Sequence, residues 1–206
     1  MTREDFAQLQ ELMQRCFKYD GPYTLASGRA SNYYYDGKGA TLDPVAAWLI
    51  GQAMVDVVLA SGAEAVGGPE IGSIPIADAV GIAAHVSRGR HLPTFVVRKK
   101  PKGHGTRSQV AEANLADGEP LLRKGRRVAI VEDTITTGGS IQQAIGVVRA
   151  LGCEVVLAAA IAERHESGDT ALRGQGFPVK RIFRTDEHGT LFLDEDFVRE
   201  SSQAVA

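Results

Sequence analysis

The chain has 206 residues, of which 44% are hydrophobic and 23% charged, with a formal net charge of -2. Both fractions are ordinary for a soluble globular protein, and the length fits one domain with a substantial core. The slightly acidic balance argues against broad electrostatic binding of nucleic acid.

The N-terminus has no apolar signal core, and no apolar run approaches a membrane span. The first helix is predicted to start at Thr2, with Asp5 in the capping-box position and Phe6, Leu9, Met13, Cys16 and Phe17 on its apolar face. Cys16 and Cys153 lie far apart and fit no metal spacing, so they read as two buried thiols of a protein in a reducing cytoplasm. Thr24 to Asp36 reads as two short strands around a turn at Gly28. Its aromatic triplet, Tyr33-Tyr34-Tyr35, includes core packing.

Asp43 and Pro44 open the next helix, as N-cap and first-turn proline. Its buried stripe is predicted as Val45, Trp48, Leu49, Val55, Val58 and Leu59, and Gly62 ends it. Ala65-Val66 reads as a buried strand running into the glycine loop Gly67-Gly68-Pro69-Glu70-Ile71-Gly72-Ser73. A helix with Ile74, Ala77 and Val80 follows. Thr94 to Val97 is another buried strand. After it comes Arg98-Lys99-Lys100-Pro101-Lys102-Gly103-His104-Gly105. Four cations and a histidine among Pro and Gly form neither a stable helix nor a central strand. The pattern favours a lid that closes over an anion rather than a solvated hairpin tip. No aromatic residues interleave with the charges, as a nucleic-acid patch would need.

The most informative stretch is Val128-Ala-Ile-Val-Glu-Asp-Thr-Ile-Thr-Thr-Gly-Gly-Ser140. Val128 to Val131 reads as a buried strand. Glu132, Asp133 and the hydroxyls and glycines after them read as a polar turn. Ile141, Ala144, Ile145, Val148 and Leu151 then recur at helical spacing. Strand, glycine turn and helix start make a phosphate site, because free N–H groups and the helix dipole favour negative charge. The Walker lysine and the Gly-x-Gly-x-x-Gly fingerprint are both absent. Two carboxylates beside a phosphate cradle would repel a bare anion, whereas a sugar phosphate bound with Mg²⁺ offers them hydroxyls and a cation. Val155 to Ile161 is a further buried strand, ending at Glu163-Arg164. Val179 to Phe183 reads as a final edge strand, and the tail after Asp194 carries no functional signal.

Strands alternating with helices predict an α/β fold: a mainly parallel sheet with helices on both faces, behind a small N-terminal hood. The whole chain, 1–206, reads as one domain, with helix and hood over about 1–40 and the core over about 41–185. Ligands of such sheets bind at the carboxyl ends of strands, where all of these motifs sit.

Val128 to Ser140 resembles the signature of the type I phosphoribosyltransferases, which bind phosphoribosyl pyrophosphate (PRPP). Thr24-Leu-Ala-Ser-Gly-Arg-Ala-Ser-Asn-Tyr33 resembles the hood, and Arg98 to Gly105 the catalytic loop, of orotate phosphoribosyltransferases. The resemblance spans roughly Tyr23 to Arg164. It implies transfer of ribose 5-phosphate from PRPP to orotate, giving orotidine 5′-monophosphate and pyrophosphate in pyrimidine biosynthesis. Catalytic roles fall on Lys102, His104 and Asp133. PRPP contacts fall on Arg98, Lys99, Lys102 and His104, and on Glu132, Asp133, Thr134, Ile135, Thr136, Thr137, Gly138, Gly139 and Ser140. Orotate contacts fall on Tyr34, Tyr35, Thr136 and Arg164, the last a planar guanidinium suited to a carboxylate. The resemblance also implies Mg²⁺ held mainly through PRPP rather than by the protein. It implies a homodimer in which the 98–105 loop reaches the neighbouring subunit's site, with neither nucleic acid nor membrane as partner.

Two positions depart from the family pattern. Many members carry a lysine where this chain has Ala26, and another near Gly72. The alternatives are a purine or uracil salvage enzyme of the same fold, or a PRPP-binding regulator without catalysis.

Overall fold

The structure, a computed structural model, describes residues 1–24, 30–100, 109–165, 172 and 174–203. Helix α1 (Arg3–Gln14) is followed by four two-residue strands, β1 (Phe17–Lys18), β2 (Tyr23–Thr24), β3 (Ala30–Ser31) and β4 (Tyr34–Tyr35). β2 and β3 are the expected pair in the hood, and the Gly28 turn between them lies outside the described residues. A second antiparallel ladder, β1 with β4, is additional. The chain continues as α2 (Lys38–Thr41), α3 (Pro44–Ala60), β5 (Ala65–Pro69), α4 (Ser73–Arg88), β6 (Thr94–Val97) and β7 (Val110–Glu112). It ends with β8 (Arg127–Ile135), α5 (Gly139–Ala150), β9 (Glu154–Glu163), β10 (Val179–Thr185), β11 (Leu191–Leu193) and α6 (Glu195–Gln203).

Seven strands form one sheet in the order β11-β10-β9-β8-β5-β6-β7. The five inner strands are parallel, and β7 and β11 close the two edges antiparallel. β10 is therefore an inner strand, not the edge that its sequence predicts. Its partner β11 is three residues long, too short to signal itself by alternation. Both faces of the sheet are covered. Ala129 and Val131 of β8 join the core shared with α1, α3, α4 and α6, while Val128 and Ile130 join the core under α5. Burial on both faces explains why β8 reads as a continuous apolar run.

The capping predictions hold at α1 and α3. The Thr2 hydroxyl accepts from Asp5 N–H while Asp5 accepts from Thr2 N–H. Asp43 Oδ1 accepts from Val45 and Ala46 N–H at 3.0 and 2.9 Å. Helix α1 ends before Cys16, which is half-buried, and Phe17 belongs to β1. Likewise α5 ends at Ala150 and leaves Leu151 exposed. The buried stripe of α3 needs correction: Val45 and Trp48 are 47% and 44% exposed, whereas Ala46, Ile50, Ala53 and Met54 are buried. Helix α3 packs on α1, α4 and α6 at once. Apolar residues therefore occur nearly all round it, and no single stripe stands out.

Strand order sets the place of the site. From β5 the chain moves outward to β6, then returns to add β8 on the other side of β5. This reversal opens a crevice at the carboxyl ends of β5 and β8. Among the described residues, no helix is long and apolar enough to cross a membrane.

Candidate active site

Two helices begin at that crevice, and both lack the caps found elsewhere. Helix α5 starts after Gly138 and α4 after Gly72, and neither N-cap makes a side-chain hydrogen bond to its helix. Only glycine readily adopts the left-handed φ of 72° at Gly138. Gly139 N–H of α5 donates weakly to Thr137 Oγ1 at 3.4 Å and Ile74 N–H of α4 to Ile71 O at 3.2 Å, and the remaining first-turn N–H groups suit an anion by charge. Thr136 and Thr137 stand exposed at the start of α5, as does Ser140 one turn on.

The acids lie on the strand, not in a turn. β8 runs through Glu132 and Asp133 to Ile135, because β9 pairs alongside it as far as Glu163. Sequence reading stops the strand at Val131, since it takes two carboxylates as a sign of solvent. Strand geometry buries Glu132, leaving it 6% exposed. Burial, then the neighbouring Asp133, pushes its carboxyl up to about 8. Hydrogen bonds from Asp133 N–H and the Ser140 hydroxyl act in the opposite direction. Burial also raises Asp133, against the hydrogen bond from Thr134 N–H and the field of Lys38. The pair therefore holds a proton at neutral pH until a partner supplies hydroxyls or positive charge.

Gly72, at one departure from the family pattern, lies against the acid pair. A Cβ there would lie 2.9 Å from Asp133 Cγ and 3.0 Å from Glu132 Oε1. A side chain at this position would require Asp133 to shift and would crowd Glu132. Gly37 closes on Asp133 from the hood side in the same way, with a virtual Cβ 2.9 Å from Oδ2. The other departure, Ala26, lies outside the described residues.

A cavity of about 620 Å³ opens beside the acids. Its lining joins the hood to the end of β8: Thr24, Tyr34, Tyr35 and Lys38 on one side, Asp133, Thr134, Thr136, Thr137 and Arg164 on the other. Arg164 is 5% exposed, and its guanidinium lies over the Tyr33 ring, 4.6 Å from the centroid. The predicted residues Tyr34, Tyr35, Thr136 and Arg164 are thus brought together. Tyr35 contributes mostly an edge, since it is buried and its hydroxyl meets Met13 Sδ at 3.7 Å. Ile135 is fully buried in the core, which leaves its main chain alone to face the site. Lys38 is absent from the sequence reading, which names Tyr33 and Ser31 only within the hood pattern and gives neither a place in the site. Lys38 lines the cavity with its ammonium 2.6 Å from Asp36 Oδ1. Its signal is weak: one lysine after a glycine.

Arg98 and Lys99 do not line this cavity. Arg98 sits at the base of the basic loop, where its guanidinium donates to Val110 O at 2.6 Å and Gln109 Nε2 donates to its carbonyl at 3.1 Å. Lys99 N–H donates to Glu70 Oε1 at 3.0 Å, and Gln143 Nε2 donates to Lys99 O at 3.3 Å. The root of the loop is therefore tied to the loop after β5 and to α5. Lys102 and His104 lie outside the described residues. Among the described residues, no three His, Cys, Asp or Glu side chains cluster as a metal cage. The donors present still suit Mg²⁺, which keeps its waters and takes one or two carboxylates alongside phosphate oxygens.

Known proteins resemble this chain in sequence and in fold. A family profile described as a phosphoribosyl transferase domain matches residues 50–173. The orotate phosphoribosyltransferase of Aquifex aeolicus is 38% identical over 189 residues, covering 91% of this chain and 97% of that one. That of Rhodopirellula baltica is 40% identical over 194 residues, covering 91% and 96%. The crystal structure of the Mycobacterium tuberculosis H37Rv orotate phosphoribosyltransferase with PRPP superposes with a TM-score of 0.69 at 31% identity, covering 90% of this chain and 99% of that one. Matched to these relatives along nearly its whole length, the chain belongs to the orotate phosphoribosyltransferase family.

Proposed function

We propose that the cavity joins PRPP to orotate and releases pyrophosphate. One observation carries this reading: the same cavity is lined by a buried guanidinium, Arg164, and by the acid-and-threonine end of β8. Arg164 takes the carboxylate of orotate through a charge-assisted contact. The open start of α5, with Thr136, Thr137 and Ser140, takes the 5′-phosphate. Glu132 and Asp133 accept the ribose hydroxyls, and their negative charge favours the cationic ring as the bond to pyrophosphate breaks. A nitrogen of orotate then forms the new bond at the anomeric carbon. Mg²⁺ brought in with PRPP would supply positive charge to the pyrophosphate, and Glu132 and Asp133 are the residues that would help hold it. In a direct test, PRPP and Mg²⁺ are offered with orotate, uracil or adenine. Orotate alone should be consumed, and consumption of uracil or adenine in its place would overturn the reading.

The working unit we propose is a cytoplasmic homodimer. Free thiols at Cys16 and Cys153 fit a reducing compartment. Val45 and Trp48 at the start of α3, and Ile71 just ahead of α4, are exposed apolar side chains that a second subunit would cover. Arg98 and Lys99 at the root of the basic loop are also not among the lining residues of their own cavity, which fits a loop that serves the neighbour. Lys102 and His104 would then stabilise the departing pyrophosphate across the interface. A complementation test follows. Lys102→Ala and Arg164→Ala proteins, each nearly inactive, are unfolded together and refolded as mixed dimers. If the loop acts across the interface, one site in each mixed dimer is intact, and about one quarter of wild-type activity returns. No recovery would mean the loop serves its own subunit.

A further inference from the structure

Tyr33 is the residue of the hood that the reaction as described leaves unused. It is 1% exposed although both Tyr34 and its loop face solvent. Its ring lies under the Arg164 guanidinium, 4.6 Å from centroid to Cζ. Phe17 and Tyr19 pack on it at 5.7 and 6.5 Å, and the turn between β10 and β11 closes so tightly that a Cβ on Gly189 would come within 2.9 Å of the ring. Its hydroxyl lies 3.4 Å from Thr185 Oγ, which accepts from His165 N–H at 3.0 Å. Ser31 completes the arrangement. Its hydroxyl donates to Tyr33 O at 2.7 Å, and its Oγ lies 3.3 Å from Arg164 Nη2.

We infer that Tyr33 and Ser31 are positioning residues: they hold Arg164 in place for the carboxylate of the base, so the hood sets acceptor specificity through Arg164. The inference rests on the proposed role of Arg164. An arginine free to sample rotamers loses that freedom when it binds, which weakens the contact. Here the aromatic face and the Ser31 hydroxyl fix it beforehand, and its main chain is fixed too, by Arg164 N–H donating to Ile135 O at 3.0 Å. A base without a carboxylate gains nothing from the guanidinium, which cannot swing aside to make room.

The test measures KM for orotate and for PRPP in wild type, Tyr33→Phe, Tyr33→Leu, Arg164→Ala and the Tyr33→Leu/Arg164→Ala double variant. Phe keeps the ring and should stay within about twofold of wild type. Leu removes it and should raise the orotate KM about 10-fold with the PRPP KM unchanged. In the Arg164→Ala background, Tyr33→Leu should add nothing further, because its effect passes through the arginine. An equal rise in both backgrounds would overturn the inference, as would a joint rise in the KM of both substrates. If Arg164→Ala itself leaves the orotate KM unchanged, the role of Arg164 falls instead. Should Tyr33→Leu not fold, Ser31→Ala runs through the same cycle, with an expected rise of about threefold.

Discussion

Replacing Arg164 by alanine is expected to lower kcat/KM for orotate about 100-fold while leaving PRPP binding within about twofold of wild type. The reason is local. Arg164 is among the few charges that line the cavity, and it is the one the fold encloses most completely. A contact between a guanidinium and a carboxylate in such a place contributes about 1.5–3 kcal/mol, and truncation also leaves the substrate carboxylate poorly solvated. PRPP relies on the start of α5 and on the acids, which Arg164 does not touch. Steady-state kinetics in each substrate separate these effects. Losses of similar size for both substrates would mean that the variant had disturbed the site as a whole. A salvage enzyme for an uncharged base would hardly register the change.

The acid pair should show function and stability moving in opposite directions. Changing Glu132 and Asp133 together to Gln and Asn should lower kcat about 1000-fold, because their negative charge stabilises the cationic ribose that forms only in the transition state. The same change should raise Tm at pH 8. The sign follows from linkage. The folded carboxyl of Glu132 is pushed up to about 8 from an ordinary value of 4.5, so the folded chain binds more protons than the unfolded chain between those values. Its stability therefore falls as pH rises through that window. Amides do not titrate, so the variant escapes the loss: its Tm advantage should be large at pH 8 and nearly absent at pH 5. Thermal melts across that range check the slope. A Tm difference that does not vary with pH would mean that the buried proton is not there.

Sequence reading located the crevice but not its inner wall. The run from Val128 to Ser140 was legible because a buried strand, two acids and a glycine turn into a helix each carry their own signal. Thr2 and Asp43 announced α1 and α3 by side-chain caps, and glycines replace such caps at α4 and α5. Tyr33 was hidden. In Tyr33-Tyr34-Tyr35 the outer two point inward and the middle one outward, as a strand requires, but three identical residues carry no alternation to reveal it. The contact between Tyr33 and Arg164 spans 131 positions of sequence and exists only because the hood folds onto the end of β9. Gly72 was similarly opaque. Its lack of a side chain shows in the sequence only as a missing lysine, and the two carboxylates that lie against it come from a strand sixty residues on.

The central claim is that this cavity couples the loss of orotate to the cleavage of Mg²⁺-bound PRPP. Orotate absorbance and released pyrophosphate, followed in one reaction with and without EDTA, test it most directly. The account predicts loss of orotate matched one for one by pyrophosphate, abolished by EDTA and restored by excess Mg²⁺. Binding of PRPP with no loss of orotate in the presence of Mg²⁺ would contradict it.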